Sequence, residues 1–396
     1  MRLPFVPILI FIIVNVLTDL YIYKMLKRRI KSKRVSLAQS VVTVGLYVLM
    51  AVIICWPKKS CSTGMLTALM WMIYTYIAVY ISKYIAVIVD LIAKIPCLFG
   101  RSRIKLLSML AGIFAIGTFG MMWWGALVNR FNIDPTEVQV EIEGLPDEFD
   151  GYRMVQFSDL HVGTYQNDTT FVAELVDSIN ALHPDIIVFT GDIVNSKTSE
   201  LLPHTKPLSR LKAADGVYSI LGNHDYGDYS TWKTAEAKQE NLALLKKLQA
   251  DMGWNLLLNE TEMIRRGNDS IALIGVENIG DPPFTIYGSL QQAYKNTSDS
   301  VTKILLTHNP SHWSDSIANR DDERIALSLS GHTHAMQFEL FGWSPAKFRY
   351  KTWGGLYDDN SNYKHQLYVN IGIGTVGFPS RIGATPEVTI FTLKKK

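Results

Sequence analysis

Two patterns of hydrophobic and polar residues divide the chain near residue 130. Before that point come four long apolar runs, at residues 3–23, 38–56, 65–89 and 106–128. Each run has enough residues to cross about 30 Å of hydrocarbon as a helix. Helices buried in a soluble core seldom stay apolar over this length, so the pattern predicts an all-α transmembrane bundle of four helices. Asp19 and Lys83 are charges inside these runs, close enough to a helix end to reach the interface or to pair.

The basic residues between the runs predict which loops face the cytoplasm. Seven Lys and Arg side chains lie between residues 24 and 34, whereas the connection after the second run has only Lys58 and Lys59. Loops rich in Lys and Arg stay on the cytoplasmic side of a membrane. We therefore expect the first and third loops inside, and the N-terminus and the chain after Arg130 outside. The sequence thus predicts a multi-pass protein of the cell (inner) membrane with an extracytoplasmic globular domain.

Composition adds the charge of each part and the state of the cysteines. The 396 residues contain 39 Lys and Arg and 36 Asp and Glu, with a mean hydropathy of +0.10. Residues 1–130 hold 16 of the basic residues and two acids, so the rest of the chain is acidic. We expect no nucleic-acid partner, because an acidic domain repels a phosphate backbone. Cys55 and Cys61 flank the predicted outer loop, and whether they pair is left open; Cys97 lies near the inner face.

The second pattern extends from residue 151 to the last residue. Short, fully apolar runs alternate there with polar clusters and helical patterns. Such runs are typical of buried strands covered by helices on both faces, which predicts an α/β domain. The predicted organisation is a transmembrane region at 1–130, a juxtamembrane connection with a first strand at 131–150, and a globular domain at 151–396.

Potential metal ligands follow five of the predicted strands. Aspartate, asparagine and histidine side chains stand just after each strand, at the edge where open α/β sheets bind ligands. These residues are Asp159, His161, Asp192, Asn223, His224, Asp225, His308, His332 and His334. A single histidine at such a place is most often structural, but many uncompensated donors at one edge need a cation. Oxygen and imidazole donors suit Mn, Fe or Zn better than Ca.

A glycine-rich segment, GIGTVG at residues 372–377, follows the last of the apolar runs. Its spacing matches a dinucleotide-binding fingerprint, but that fingerprint requires a helix directly after the turn. Pro379 and Pro386 argue against a helix, so we interpret the segment as a strand exit that lets the backbone approach the metal ligands.

The donors and their flanking residues resemble the calcineurin-like metallophosphoesterase family. The motifs that carry the resemblance are DLH, GDIVN, GNHD, THN and GHTH, at 159–161, 191–195, 222–225, 307–309 and 331–334. Two further segments, EGLPDEFDGYRMVQFSDLHVG and RIGATPEVTIFTL, resemble its membrane-anchored bacterial branch, and the similarity spans residues 137–393. The resemblance implies a four-layer αββα sandwich around a dinuclear metal site, and the activity of a metal-dependent phosphoesterase.

The resemblance also assigns roles to matching positions. One of two divalent metal ions would be bound by Asp159, His161 and His334, and the other by Asn223, His308 and His332. Asp192 would bridge both, and manganese is the metal we expect. His224 would act beside the phosphate as acid or charge stabiliser, oriented by Asp225. Where the second motif often ends in Asp, this chain has Asn195, a position usually outside direct metal contact.

The implied mechanism leaves the substrate open. A hydroxide shared by the two metals would attack phosphorus in line, while His224 donates a proton or hydrogen bond to the leaving oxygen. Arg381 follows the glycine-rich segment and is expected to contact the phosphate, with a surface position as the alternative.

Three hypotheses about function follow. The first is a membrane-anchored phosphoesterase outside the cytoplasm that cleaves a phosphate ester or diphosphate, on an envelope- or lipid-linked substrate in contact with membrane lipid. The second is a nucleotide-lipid pyrophosphohydrolase of the UDP-2,3-diacylglucosamine type, whose substrate is cytoplasmic, so topology separates it from the first. The third is a non-catalytic metal-binding scaffold, against which the complete ligand set argues.

Overall fold

The computed structural model describes residues 5–56, 63–294, 298, 300–319, 325–359, 361 and 364–396. Within it the chain divides into two compact units. The helical unit comprises Met1–Leu127 with Gly377–Pro379, and the α/β unit comprises Val128–Val376 with Ser380–Lys396.

Long apolar helices form the helical unit. They are α1 Phe5–Arg29, α2 Lys33–Cys55, α3 Thr63–Ile92 and α4 Lys105–Leu127. All four are long and apolar enough to span a membrane, which confirms the bundle predicted from the sequence. α1 continues past residue 23 to Arg29, because the Lys and Arg residues that follow the apolar run are good helix formers.

Buried charges inside the helical unit are paired. Nζ of Lys83 on α3 lies 2.6 Å from Oδ1 of Asp19 on α1. Of the two expected placements, at the membrane interface or in an ion pair, these residues adopt the ion pair. Near the end of α3, the carboxylate of Asp90 contacts the guanidinium groups of Arg29 and Arg103. A charge in apolar surroundings is strongly destabilising without a partner, so these contacts hold α1 against α3.

Two expectations concern the connection between α2 and α3. Cys61, Lys58 and Lys59 lie outside the described residues, so whether Cys55 and Cys61 pair stays open, and the outer position of this loop stays a prediction. Cys55 itself ends α2 and is exposed.

The described part of the α/β unit contains two six-stranded sheets. In chain order the strands are β1 Asp134–Ile142, β2 Arg153–Phe157, β3 Ile186–Phe189, β4 Val217–Ser219, β5 Trp254–Leu256, β6 Glu260–Arg266, β7 Asp269–Gly275, β8 Lys303–Leu306, β9 Ile325–Ser330, β10 Gly355–Asp358, β11 Gln366–Val369 and β12 Glu387–Lys395. The first sheet has the order β1-β12-β2-β3-β4-β5, and the second has the order β10-β11-β9-β8-β7-β6. β1 pairs with β12 along its whole length, so the segment predicted as a connection carries an edge strand of the first sheet.

Helices cover the outer face of each sheet. They are α5 Thr170–Ala181, α6 Thr205–Leu208, α7 Ala235–Asp251, α8 Leu290–Tyr294 and α9 Ser311–Ser316. Phe171 and Leu175 of α5 pack with Val155 of β2 in one core, and Trp313 of α9 packs with Leu305 of β8 in another. A third core joins side chains of both sheets and lies between them. These layers confirm the four-layer αββα sandwich that the resemblance implies. The expectation of helices on both faces of the strands is wrong, because one face of each sheet packs on the other sheet.

Four neighbouring strands of each sheet are parallel, so the loops that follow them lie at one edge of that sheet, and these loops carry the predicted ligands. β2, β3, β4 and β5 are parallel in the first sheet, and β7, β8, β9 and β11 are parallel in the second. The residues of β3 are all buried, as its fully apolar run predicts. Those of β8 are buried too, Lys303 included. Residues 370–386, all of them described, contain no α-helix after the glycine-rich segment, in agreement with the argument from its prolines.

Candidate metal centre

The loops after β2, β3, β4, β8 and β9 bring the predicted ligands into one cluster. It contains three groups of residues, and within each group the donor atoms lie within 4.8 Å of one another. The groups are Asp159, His161 and His334; His161, Asp192 and His224; and Asp192, His308 and His332. Adjacent groups share a residue. Asn223 adjoins the third group, with its Oδ1 3.2 Å from Nε2 of His308.

Many of these residues have a backbone conformation that is costly for a side chain. The residues with a positive φ are Asp159 (52°), His161 (45°), Asp192 (61°), His332 (75°) and His334 (52°). Glycine adopts this left-handed region at little cost, whereas other residues are strained in it. Such strain persists where the surrounding structure enforces it, commonly at functional sites. It indicates that these side chains are held for binding.

The imidazole of His161 has its proton on the side away from the cluster. Its Nδ1 lies 3.1 Å from the carbonyl oxygen of Val194, which can only accept a hydrogen bond, so Nδ1 donates. In the neutral ring, Nε2 therefore carries a lone pair. That atom lies 3.1 Å from Nε2 of His334 and 3.7 Å from Oδ2 of Asp192. Burial, then neighbouring His224, lowers the pKa of His161 well below its usual value, which favours this neutral form.

The carboxylate of Asp159 is divided between two tasks. Its Oδ2 accepts the backbone N–H of His332 at 2.9 Å. Its Oδ1 is buried and has no hydrogen-bond partner among the described residues, although Nε2 of His334 is 3.2 Å away. Burial alone would raise the pKa of Asp159, but the nearby His334 outweighs it and keeps the pKa below its usual value. An enclosed, ionised oxygen without a hydrogen bond is what a metal ligand requires.

His308 is oriented like His161, but in the other half of the cluster. Its Nδ1 donates to the carbonyl oxygen of Thr190 at 2.8 Å, so Nε2 faces inward. Nε2 lies 3.1 Å from Oδ2 of Asp192, and Nδ1 of His332 is 3.3 Å away. Burial opposes a charge here, but Asp192 raises the pKa of His308 to about 9. The site therefore attracts a cation, and without a metal that cation is a proton.

Two tyrosines orient further ligands, a role that sequence reasoning gave to neither. Nε2 of His332 lies 3.0 Å from the hydroxyl of Tyr350, which leaves Nδ1 toward His308, and burial lowers the pKa of His332 to about 3. The amide of Asn223 donates to the hydroxyl of Tyr229 at 2.8 Å, which leaves Oδ1 toward the cluster. Tyr229 belongs to an aromatic stretch just after the GNHD motif, whereas the sequence gives no sign of Tyr350.

The chemistry of the donors fits two divalent cations. Carboxylate and amide oxygens and imidazole nitrogens converge here, and donors gathered in this way require a cation among them. One cation could be held by Asp159, His161 and His334, the other by Asn223, His308 and His332, with Asp192 reaching both. Backbone carbonyls behind the histidines are the partners that metal-binding histidines commonly have.

His224 lies beside the cluster with its ring held on two sides. Its Nδ1 donates to the backbone oxygen of Asn195 at 2.6 Å, and the ring stacks on Tyr229 with centroids 4.2 Å apart. Its backbone N–H donates to Oδ1 of Asp192 at 2.8 Å. The contact with Asn195 uses the backbone, which any residue supplies, so Asn in place of the family's usual Asp leaves it intact.

The structure differs from the expectation that Asp225 orients His224. The carboxylate of Asp225 instead accepts backbone N–H groups of Asp192 (2.9 Å), Ile193 (2.9 Å), Val194 (3.3 Å) and Gly222 (2.9 Å). It thereby fixes the loop that carries Asp192. Burial, together with the charge of Asp192, raises the pKa of Asp225 to about 7.

Arg381 is neither exposed nor open to a phosphate. Its side chain is completely buried, and it donates to the carbonyl oxygens of Ile371 (3.0 Å), Gly374 (2.8 Å) and Ala384 (3.1 Å). Its Nη2 also lies 3.1 Å from Nδ1 of His334. The expected contact with phosphate and the alternative surface position are therefore both wrong, because the side chain is buried and each guanidinium nitrogen already has a partner inside the domain.

Comparisons with known proteins identify the family to which the chain belongs. Residues 1–130 match the family model described as the transmembrane domain of a probable calcineurin-like phosphoesterase, and residues 152–336 match the model of the calcineurin-like phosphoesterase. The uncharacterized metallophosphoesterase YkuE of Bacillus subtilis is 32% identical over 308 residues, which are 74% of this chain and 98% of that protein.

Two further relatives show how far the similarity extends. The uncharacterized metallophosphoesterase Cj0846 of Campylobacter jejuni is 26% identical over 99% of this chain and 98% of its own length. A transmembrane protein with a metallophosphoesterase domain from Danio rerio is 31% identical over 65% of this chain and 57% of its own. The chain is thus a membrane-associated, metal-dependent phosphoester hydrolase, and it belongs to the calcineurin-like metallophosphoesterase family.

Proposed function

We propose that this protein hydrolyses a phosphate ester or diphosphate with two divalent metal ions, manganese first among them, bound around Asp192. The observation that supports this most is that Asp192 belongs to two groups of donors. Its Oδ2 lies 3.1 Å from Nε2 of His308 and 3.7 Å from Nε2 of His161. One carboxylate therefore faces both halves of the cluster, as a bridging ligand must.

The chain's own residues prepare the site for this reaction. When bound, two metals supply a nucleophile at neutral pH and stabilise the charge that develops on phosphate. Asp225 holds the Asp192 loop through backbone N–H groups, while Arg381 and Tyr350 hold the rings of His334 and His332. These contacts fix the ligands in advance, so little reorganisation remains when substrate binds.

His224 is our candidate for the proton donor to the leaving oxygen. Because its Nδ1 donates to the backbone of Asn195, Nε2 is the atom left to face a substrate. The stack on Tyr229 sets the plane of the ring. A positioned general acid typically contributes about 10²–10⁴ in rate, so this is the size of effect that His224 should supply.

The substrate that we propose is an envelope- or lipid-linked phosphate outside the cytoplasm. The four apolar helices keep the catalytic domain at a membrane, where a lipid-linked substrate is concentrated. The dense basic loop between the first two helices favours an inside position for that loop, and an even number of spans then puts the α/β unit outside.

Substrate profiling of the purified full-length protein tests the activity. With Mn²⁺ added, we expect hydrolysis of bis(p-nitrophenyl) phosphate, p-nitrophenyl phosphate or lipid diphosphates, and loss of that hydrolysis after chelation. A metal-loaded protein that cleaves none of these phosphate mono-, di- and diphosphate esters would contradict the proposal and favour a metal-binding scaffold.

The role of His224 has its own test. We expect His224→Ala to keep its metal while kcat falls by about 10²-fold or more, because the residue is proposed to act on phosphate. The exposed His183 offers a matched control, and His183→Asn should change neither quantity. Loss of metal in His224→Ala would instead make His224 a ligand, as its place in the second donor group allows.

Reporter fusions test the side of the membrane. Alkaline phosphatase fused after Lys396 should be active, because it needs an oxidising compartment, and a fluorescent protein that matures only in the cytoplasm should be dark. The opposite pair of results would place the site in the cytoplasm, where a nucleotide-lipid pyrophosphohydrolase becomes the better proposal.

A further inference from the structure

A group of large apolar side chains is exposed on the α/β unit in the segment that follows the metal ligands. Phe341 is 99% exposed and Phe348 is 83% exposed, while Leu340 and Trp343 are each 43% exposed. These four residues form what we call the aromatic tip. Phe348 and Trp343 touch edge to face with ring centroids 6.0 Å apart, so the tip is one patch. Contiguous exposed apolar patches commonly mark interaction surfaces.

The residue at the end of the tip is the wrong type for its backbone. Leu340 and Trp343 exchange two backbone hydrogen bonds, of 2.9 and 3.1 Å, across a two-residue turn. The central residues, Phe341 and Gly342, both have positive φ, 51° and 74°. Such turns strongly prefer Asn, Asp or Gly at the first position, because a bulky side chain is strained there. Phe341 is thus unfavourable both for the turn and for solvation, and folding does not account for it.

Hydrogen bonds from the neighbouring residues fix the backbone of the aromatic tip. The hydroxyl of Ser344 donates to the backbone oxygen of Ala335 at 2.6 Å and accepts the N–H of Ala346 at 3.0 Å. The N–H of Glu339 donates to the oxygen of Ile382 at 2.8 Å. These contacts hold the aromatic side chains outward, so their exposure is a feature of the folded domain.

The charge around the tip is opposite to that of the domain. Residues 340–357 contain three basic residues and no acid, although residues 131–396 as a whole carry an excess of acids. Arg349 contacts Asp281, while Lys347 and Lys351 are exposed. Aromatic side chains flanked by lysines are typical of segments that lie in the headgroup region of a bilayer. Anionic lipids attract such lysines.

We propose that the aromatic tip inserts into the headgroup region of the bilayer that holds the chain's own helices, with Lys347 and Lys351 against anionic lipid phosphates. The tether supplies the partner, because the α/β unit follows directly after α4 in the chain. The contact would also bear on substrate access, and this part rests on the proposed function. The segment begins just after His334 and leads to Tyr350, which contacts His332, so its two ends adjoin the metal centre.

Depth-dependent quenching tests the contact directly. In a full-length background with the native cysteines changed to serine, a bimane label is placed on Phe341→Cys or, as control, on Leu202→Cys. Leu202 is an exposed apolar residue of another segment. In vesicles of phosphatidylethanolamine and phosphatidylglycerol that contain brominated phosphatidylcholine, the label at position 341 should be quenched several-fold more strongly. Equal quenching at both positions would overturn the proposal. So would shielding of the 341 label that depends on protein concentration in detergent, since a second copy of the chain would then cover the tip.

A second variant separates the tip from folding and from chemistry. Phe341→Asn puts a residue that the turn prefers at this position, so the variant should fold at least as well. Combined with Phe348→Ser, it should lower the ratio of phosphatidate hydrolysis in vesicles to bis(p-nitrophenyl) phosphate hydrolysis, by roughly tenfold for each aromatic side chain lost from the interface. Leu202→Asn should leave that ratio unchanged. An unchanged ratio in the double variant would refute the link to substrate access. If the unmodified protein cleaves neither these compounds nor p-nitrophenyl phosphate and lipid diphosphates, the proposed function fails, and the quenching comparison alone decides the tip.

Discussion

Replacing Arg381 tests whether a buried guanidinium supports the metal centre from behind. The side chain is completely buried and donates to the carbonyls of Ile371, Gly374 and Ala384, and its Nη2 lies 3.1 Å from Nδ1 of His334. Arg381→Met keeps most of the apolar stem and removes all the donors. We therefore expect two separate losses, one of stability and one of metal affinity.

The size of each loss follows from these contacts. Three carbonyl oxygens lose their donor, and an orphaned buried acceptor costs about 1–3 kcal/mol. Relief from burying a charge offsets part of this cost, so we expect the α/β unit to be destabilised by about 3 kcal/mol. Freeing the ring of His334 should weaken metal binding by about 10–100-fold, as loss of a group that orients a ligand commonly does. Arg381→Lys should recover part of the stability, because an ammonium keeps the charge but not the planar fork of donors.

Unfolding by denaturant, followed by tryptophan fluorescence, and elemental analysis of bound metal measure the two effects. The matched control is Arg210→Met, since Arg210 is exposed and pairs with Asp177 on the surface. That variant should lose less than about 1 kcal/mol and no metal. An Arg381→Met protein with an unchanged unfolding midpoint and full metal content would refute the reasoning. Destabilisation with unchanged metal affinity would limit the residue to a role in packing.

Two further substitutions test the ligands themselves. Asp192→Asn should abolish turnover and lower the metal content, because an amide replaces the carboxylate that faces both halves of the cluster; a fully active variant with two metals per chain would contradict the bridge. Gly331→Ala should weaken metal binding, because its Cβ would lie 2.2 Å from Oδ2 of Asp159 and must displace it. As control, Gly253→Ala places a Cβ in open space at a φ of +80°, so it should cost about 1 kcal/mol of stability through backbone strain and leave the metal content unchanged, whereas equal metal loss in both variants would count against a steric effect at Asp159.

Most of the cluster could be predicted because sequence and space coincide there. His161, Asp192 and His308 each follow a short strand within a few residues, the first two in one sheet and the third in the other. Parallel strands bring their ends to one edge of each sheet. The residues just after each strand were therefore enough to predict most of the ligands. The fully apolar runs indicated strands covered on both faces, but they did not reveal that the second cover is another sheet; only the family resemblance implied the sandwich.

The supporting contacts could not be predicted in this way. Arg381 meets His334 across 47 residues, and Asp225 reaches the backbone of Asp192 across 33. The neighbours of a residue in sequence do not reveal such contacts. Asp225 was misjudged because it stands next to His224 in the chain, whereas its carboxylate points to the N–H groups of another loop. Because the two residues are adjacent in sequence, His224 was predicted to be the partner of Asp225, but in the fold the Asp225 carboxylate binds backbone N–H groups instead.

Backbone strain connects the metal centre with the aromatic tip. Asp159 and His332 adopt positive φ angles, and their side chains meet other donors in the cluster. The strained backbone there places side chains where they can bind a metal. Phe341 adopts a similar angle with a less suitable side chain, yet it is almost completely exposed. A local rule broken without a compensating contact in the chain indicates a contact outside it. At the cluster the missing partner is a cation, as the facing acceptor atoms require. At Phe341 we propose that it is the apolar phase of a bilayer, because this chain has four helices long and apolar enough to cross a membrane.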